Sequence, residues 1–571
     1  MIMSLSRRSL SRPLVAGLAM FLLEAIPLPA TAQELQPAAQ GTDNHIAETL
    51  RTIVGEANHP YLTWPLFPHY QDEMEGLYEV TNYGLLWFEG GRPTSQAGDV
   101  VAALLAAGDR GLDPQDYDAE RLRAIMAGPD MAGASASERA LIDAAISIAF
   151  LRFLSDSHIG RVNPENLSMQ LNVEPKRLDL AAEIHEAIRQ DSIAELVTGV
   201  EPRLPQYSKL TALLAVYREK AALDEFEPIP ADRTIEPGDT FDGLALLVRR
   251  LELMGDLSAA DAPPAGSTTY DGAVVDAVKR YQKRHGLSAD GVTGPATFEE
   301  LNTPVASRIR QIELALERLR WVPYLRAGPF IVVNIPAFEL WALDGEDPTA
   351  PATTNMRVVV GKSLNKQTPV FIEDMRWLDF APYWNVPYSI TVNELLPAIR
   401  KDPSWVDRNN YEIVASFDDN AQALPASPEN IEKLGSGRLK LRQKPGPRNA
   451  LGLVKFIFPN AMNIYLHSTP AQQLFARTRR DFSHGCIRVE HPVTLAEFVL
   501  RDEASWNRER IESAMNKGSP TRVLLKERLP VLIFYTTVLV DDDGSARFFD
   551  DIYGHDERLD NALRGGYPYP R

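Results

Sequence analysis

Apolar positions recur along this chain with two different periods. From about residue 60 to 231 the spacing is helical: Val101, Leu104 and Leu105 fall at i, i+3 and i+4, and Gly111 and Pro114 punctuate the end. Ser135-Ala-Ser-Glu138 has capping-box spacing, a hydroxyl for a free N–H and a carboxylate reaching back, ahead of a helix running towards Leu154. Residues 140–154 are apolar on most sides, which predicts a helix buried inside a helical domain. The stretch Ser157-His-Ile-Gly-Arg-Val-Asn-Pro164 reads as a loop of helix-ending residues, so His158 and Arg161 are given no chemistry. Before this domain, residues 33–59 are polar and rich in Ala and Gln, as a linker would be.

A second helical unit occupies 235–303. One helix is predicted over 241–254 with a stop at Gly255, a second over 272–285 with a stop at Gly286, and a short third after Pro295. A helix over 307–321 then bridges onward, its Glu and Arg alternating as on a solvated face. From Phe330 the pattern changes to short β-rich runs separated by Pro, Asp and Gly: 330–335, 339–343, 356–360, 454–458, 464–467 and 531–540. Such strands suggest a β-sandwich or barrel-like domain over 328–525, with 526–571 as a C-terminal strand extension. A helical, polar interruption at about 389–441 reads as an inserted lid. The fold class expected is therefore multidomain α+β.

With 571 residues the chain is too long for one core, and about two to four domains are expected. Its net charge of −18 argues against nucleic acid as a partner, because phosphate binding needs a basic surface. The N-terminus changes the picture more. Arg7, Arg8 and Arg12 precede an apolar run over 13–28, and Ala30-Thr-Ala32 offers a small-x-small cleavage site before Gln33. Residues 1–32 thus read as a signal peptide directing export, with the periplasm as the expected location. A retained segment, giving inner-membrane association, is the alternative, although Glu24 and Pro27 interrupt the run. In an exported chain, a single cysteine, Cys486, cannot form an internal disulfide.

That cysteine lies in Ser483-His-Gly-Cys-Ile-Arg488, with His467 nineteen positions earlier at a predicted strand end. A thiol nucleophile needs a base and oxyanion donors. His467 and His484 are the near candidates for the base, and Gly485 permits close backbone approach. Arg477, Arg479, Arg480 and Arg488 make the segment locally basic, which would lower the thiol pKa. A zinc site would need His467, His484 and Cys486 together; no His-Glu-x-x-His or Cys-x-x-Cys spacing occurs, and neither a metal nor a cofactor is expected.

Ser483-His-Gly-Cys-Ile-Arg488 preceded by His467 resembles the active-site motif of the L,D-transpeptidase (YkuD-type) family. Further segments that fit are Gly361-Lys-Ser363, Gln367-Thr-Pro-Val370, Pro382-Tyr-Trp-Asn-Val-Pro387, the run from Gln443 to Gly452, Asn463-Ile-Tyr-Leu-His-Ser-Thr-Pro470 and Phe534-Tyr-Thr-Thr537. Ala381 departs from the pattern, since this branch often has Asn there. The unit at 235–303 resembles the small three-helix peptidoglycan-binding domain, on Ala277-Val-Lys-Arg-Tyr-Gln-Lys-Arg-His-Gly-Leu287 and Asp290-Gly-Val-Thr-Gly-Pro-Ala-Thr-Phe298. The resemblance extends from about Asn82 to Tyr553. It implies the long variant of the family, with a helical scaffold domain, a peptidoglycan-binding domain and a lid-bearing catalytic domain.

The resemblance also implies roles. Cys486 matches the nucleophile and His467 the proton acceptor and donor, while Ser483, His484, Gly485, Arg488 and Tyr465 match positions that shape the site, hold substrate or stabilise the oxyanion. The implied partners are peptidoglycan stem peptides: a tetrapeptide donor and a diamino-acid acceptor, joined 3→3, with carbapenems as acylators. Water as acceptor, giving an L,D-carboxypeptidase, a protein amine as acceptor, or a non-catalytic wall-binding scaffold are the competing readings. In the three-helix unit, Lys279, Arg280, Lys283, Arg284 and His285 either converge on an acidic partner or solvate an outer face.

Overall fold

The apolar stripes sort into four cores among the described residues of the computed structural model, which are 38–566 apart from 129–132, 324–327, 346–351, 365 and 419. The expected signal segment at 1–32 lies outside them. Among the described residues no helix is long and apolar enough to cross a membrane.

The first core is all helical. Helix α2 (Ala136–Ile159) begins with the capping box expected from the sequence, the Ser135 hydroxyl accepting from the Glu138 N–H while the Glu138 carboxylate accepts from the Ser135 N–H. Residues 140–159 are nearly all buried. The linker expected at 33–59 is instead largely helical: α1 (Ala38–Glu56) packs on α2 through Ile46, Leu50, Ile53 and Val54. These four sit one helical stripe apart, a signal masked by the polar residues between them. His158 belongs to the last turn of α2 rather than to a loop, and its ring nitrogens lie 2.6 and 2.8 Å from the carbonyls of Val200 and Lys176.

The helical spacing assigns helix α3 (Pro205–Leu223) to this same domain. Its Tyr207, Leu210, Leu214 and Tyr217 instead join the core of the β domain. The three-helix unit has its own core, built by α4 (Leu244–Met254), α5 (Gly272–Arg284) and α6 (Pro295–Leu301), with Leu247, Leu251, Val278, Tyr281 and Phe298 inside. Gly255, at φ +87°, ends α4 in the left-handed conformation that favours glycine. The basic run on α5 is largely occupied: Arg284 pairs with Asp256, Arg280 donates to the Asp256 carbonyl, and His285 is buried against Glu300 and the Tyr281 ring.

Helix α7 (Val305–Trp321) carries the sharpest correction. Its charges are not solvated: Arg308, Glu317, Arg318 and Arg320 are all buried. Glu317 pairs with Arg161 and Arg320, both at 3.2 Å, and Arg318 pairs with Asp556 at 2.5 Å. The helix lies between α2, α3 and the C-terminal segment, so its charges meet partners far away in sequence. Helical spacing shows which residues share a face but not whether that face meets water or another domain.

The β domain is a closed barrel. Its strands are β1 (Phe330–Asn334), β2 (Glu339–Leu343), β3 (Thr354–Gly361), β4 (Phe371–Phe380), β5 (Val454–Ile457), β6 (Leu466–His467), β7 (Asp481–Ser483), β8 (Ile487–Val489) and β9 (Thr521–Phe534). The order β3-β8-β6-β5-β4-β9-β1-β2 closes where β2 pairs with β3, and β7 runs parallel to the end of β3. Leu378, Phe380, Val454, Phe456, Leu466, Ile487 and Val489 fill the interior, so Asp379, Lys455, Tyr465, His467 and Arg488 fall on the opposite face. The boundary drawn at 525/526 cuts through β9. The C-terminal extension is also more than strand: past β9 come the hairpin β10 (Val538–Val540) and β11 (Ala546–Phe548) and then helix α8 (His555–Arg564), whose Asp556 and Asp560 hold Arg318 and Arg310 of α7.

Between β4 and β5 the chain builds the lid. Its three-stranded sheet of Trp384–Asn385, Tyr411–Val414 and Lys440–Gln443 and its helices bury Ile390, Leu396, Ile399, Ile413, Ile431 and Leu434. The interruption is therefore a small folded unit with its own core.

Candidate active site

The loop between β7 and β8 is bent so that Cys486 stands at the entry to β8. Ser483 ends β7, and its hydroxyl donates to the Cys486 carbonyl at 2.5 Å while accepting from the Gly485 N–H at 3.1 Å. Gly485 takes φ +115°, a backbone conformation that favours glycine, and a Cβ there would lie 3.3 Å from the end of the Ile464 side chain. The Thr368 hydroxyl donates to the Gly485 carbonyl at 2.7 Å and accepts from the Gly361 N–H at 2.9 Å. The Tyr553 hydroxyl in turn donates to the Gly361 carbonyl at 2.5 Å. Ser483 and Gly485, expected to shape the site and hold substrate or the oxyanion, are engaged within the loop: the Ser483 hydroxyl is buried and accepts from the Gly485 N–H.

Cys486 is partly exposed, with Sγ 3.6 Å from the Asn463 carbonyl. Burial pushes its thiol above the ordinary range, while hydrogen bonds from Tyr465 and the charges of Lys455 and Arg488 pull the other way. The local basicity expected from Arg477, Arg479 and Arg480 does not reach the sulfur. Arg479 pairs with Asp481, Arg480 is buried on backbone carbonyls, and the Arg477 guanidinium lies over the Phe482 ring.

His467 ends β6, directly opposite Arg488 of β8 and Lys455 of β5. It is 4 % exposed. Burial, then the positive charges of Arg488 and Lys455, drive its pKa down to about 3, so the imidazole is neutral. Its Nδ1 lies 2.5 Å from the Ser468 carbonyl. A carbonyl only accepts, so the hydrogen sits on Nδ1 and Nε2 keeps its lone pair. Gly452, at φ +61°, makes room behind Ser468: a Cβ there would collide with its hydroxyl oxygen. Tyr465, two residues before His467 on the same face, has its ring 5.8 Å from the imidazole in an edge-on arrangement.

The structure separates the two candidate bases. His484 points to the lid, with Nε2 2.8 Å from Glu394, a carboxylate that also takes Lys366 at 3.0 Å. Glu394 lies in the π-helical turn Thr391–Leu395. Burial raises its carboxyl, but the bonds from Lys366 and His484 outweigh this and hold it below the ordinary range. The inserted unit is thus tied by Glu394 to the loop that carries Cys486. Among the described residues no group of three or more His, Cys, Asp or Glu gathers in a way that could hold a metal. A cleft of about 1040 Å³ lies elsewhere, lined among others by Lys283 and Arg284 of α5, Arg479 and Asp543, and does not include Cys486.

Sequence comparison agrees with this geometry. Residues 328–524, the barrel with its lid, match the L,D-transpeptidase catalytic domain of the YkuD family. The barrel is an L,D-transpeptidase catalytic domain. Residues 242–301 match the "Putative peptidoglycan binding domain" and 72–214 the Scaffold domain. A Haemophilus influenzae protein named "Putative L,D-transpeptidase" is 31% identical over 254 residues, 44% of this chain and 49% of that protein. The aligned part thus spans about half the length of that relative. The L,D-transpeptidase barrel therefore stands on a helical platform shared with the scaffold and beside a peptidoglycan-binding unit.

Two positions escape sequence reasoning as site residues. Lys455 carries no motif signal, and only the β5–β6 register brings it to His467. Gly452 lies within a segment matching the family, but its steric role needs Ser468 beside it.

Proposed function

We propose that this protein is a peptidoglycan L,D-transpeptidase that forms 3→3 cross-links through a cysteine thioester. The observation that supports the reading is the parallel pairing of His467 with Arg488, two positions after the chain's one thiol, which sets a buried, neutral imidazole with Nδ1 on the Ser468 carbonyl on the strand neighbouring Cys486. Cys486 attacks the carbonyl carbon of the third residue of a tetrapeptide stem as its proton passes to His467 Nε2. The C–N bond to the terminal D-alanine then breaks, and the imidazolium returns that proton to the leaving amine. In the second half-reaction the side-chain amine of a diamino acid on another stem attacks the thioester carbon, giving its proton to His467. The C–S bond breaks, and the sulfur recovers the proton. Splitting the transfer through a covalent intermediate replaces one hard step with two easier ones.

The three-helix unit supports a polymeric wall substrate, and the basic, apolar N-terminus of the sequence supports export to the periplasm, where that substrate lies. Purified tetrapeptide muropeptides incubated with the full-length chain, read by mass spectrometry, test the reading. Cross-linked dimers are expected. Tripeptides would assign water as acceptor and make the enzyme an L,D-carboxypeptidase, and unchanged material would leave a wall-binding scaffold.

A further inference from the structure

Lys455 faces the reacting groups from a strand that the motif does not include. In the ladder it stands opposite His467 on one side and Asp379 on the other. Its ammonium lies 3.7 Å from the centroid of the Tyr465 ring. Asp379 is engaged by Arg522 at 2.7 Å, and no ion pair to Lys455 forms among the described residues. A half-buried ammonium with no ion pair carries a desolvation cost that an apolar side chain would not. Burial depresses its pKa, while negative charge at Cys486 and at Asp379 opposes that depression. The shape of the site does not require a charge here, because an unbranched apolar side chain of similar length would cover the same ring.

We propose that Lys455 is a positioning residue of the acyl-transfer centre: its ammonium, seated on the Tyr465 ring, supplies the positive charge against which the Cys486 thiolate forms. This rests on Cys486 being the nucleophile. The cation fixes the ring of Tyr465, whose carbonyl accepts from the N–H of Ile487 next to Cys486 at 3.1 Å, and its field lowers the cost of negative charge at the sulfur. The charged and titratable groups facing the thiol and the lysine are Tyr465 just before β6, His467 on β6, Arg488 on β8, Asp379 on β4 and Arg522 on β9. His484 is held by Glu394 of the lid. Arg488 adds charge of the same sign, so loss of the lysine weakens the thiolate without abolishing it.

The test is the pH profile of Cys486 alkylation by iodoacetamide, followed by intact mass in full-length wild type, Lys455→Met and Lys455→Arg. In Lys455→Met the midpoint should rise by about one pH unit, a roughly tenfold loss of thiolate at fixed pH below it. Lys455→Arg should keep the midpoint near wild type, and neither variant should melt below wild type. An unchanged midpoint in Lys455→Met overturns the proposal, including the case where only KM for a donor peptide rises, which would make the lysine a receptor for substrate carboxylate. An equal rise in both variants overturns it too, since that reports the lysine's shape and not its charge. A carbapenem adduct surviving in Cys486→Ala would instead sink the nucleophile reading, independently of Lys455.

Discussion

The Glu317 carboxylate sits where scaffold, bridging helix and barrel meet, and its removal as a charge should be felt across all three. It is fully buried, accepts the backbone N–H groups of Arg161 at 2.5 Å and Val162 at 3.1 Å, and pairs with the Arg161 and Arg320 side chains. Glu317→Gln keeps the volume and one acceptor oxygen but deletes the negative charge. Arg320 is also fully buried; it would retain the Arg110 carbonyl and the Tyr207 hydroxyl but lose the carboxylate it pairs with. Stranding one member of a buried ion pair costs about 3–5 kcal/mol. The expected outcome is a loss of that size in the urea transition of the full chain, followed by tryptophan fluorescence. Trp321 is a built-in reporter, because a Cβ at Gly160 would come within 2.7 Å of its Nε1 and 2.8 Å of Glu317 Oε1. Adding Arg320→Met should recover at least half of the loss, since the stranded guanidinium is then gone. A loss below about 1 kcal/mol in Glu317→Gln would refute the reasoning, because it would mean that water or rearrangement satisfies Arg320.

Cys486→Ala should abolish formation of a covalent carbapenem adduct, seen by intact mass, without lowering the melting temperature. His467→Ala should slow adduct formation by roughly 10²–10⁴-fold, the range for a general acid–base group, and a loss below tenfold would return the role to His484. Burial holds His59 at about 4 and His467 and His555 at about 3, all below the unfolded value, so the unfolded chain binds more protons between those limits. Stability is then complete above about pH 6.5 and falls on acidification, by about 2 kcal/mol for each histidine at pH 5, which denaturation at the two pH values would measure. Ala381 is buried with φ +45°, a left-handed conformation that alanine tolerates poorly and asparagine better, which gives the departure from the family pattern a physical cost. Ala381→Gly should raise stability by about 1 kcal/mol in the same denaturation assay, and a decrease would show that the Cβ contacts outweigh the strain.

The amino-acid order by itself determined whatever depends on neighbours within a few positions. The capping box at Ser135, the glycine stop at Gly255, the three-helix unit with its stretch from Ala277 to Leu287 and the sequence Ser483-His-Gly-Cys-Ile-Arg488 are of this kind, because a cap, a turn or a tight loop is closed by residues adjacent in the chain. Only the tertiary structure decided what depends on register and on which face meets which. It turned the expected linker into α1, because a four-residue apolar stripe counts only once α2 covers it. It buried the charges of α7, because their partners Arg161 and Asp556 come from opposite ends of the chain. It set His484 against Glu394 and paired His467 with Arg488 on the strand that follows Cys486, a difference between the two histidines that sequence leaves open. It also brought Lys455 beside His467, since strand pairing joins residues that no local spacing relates.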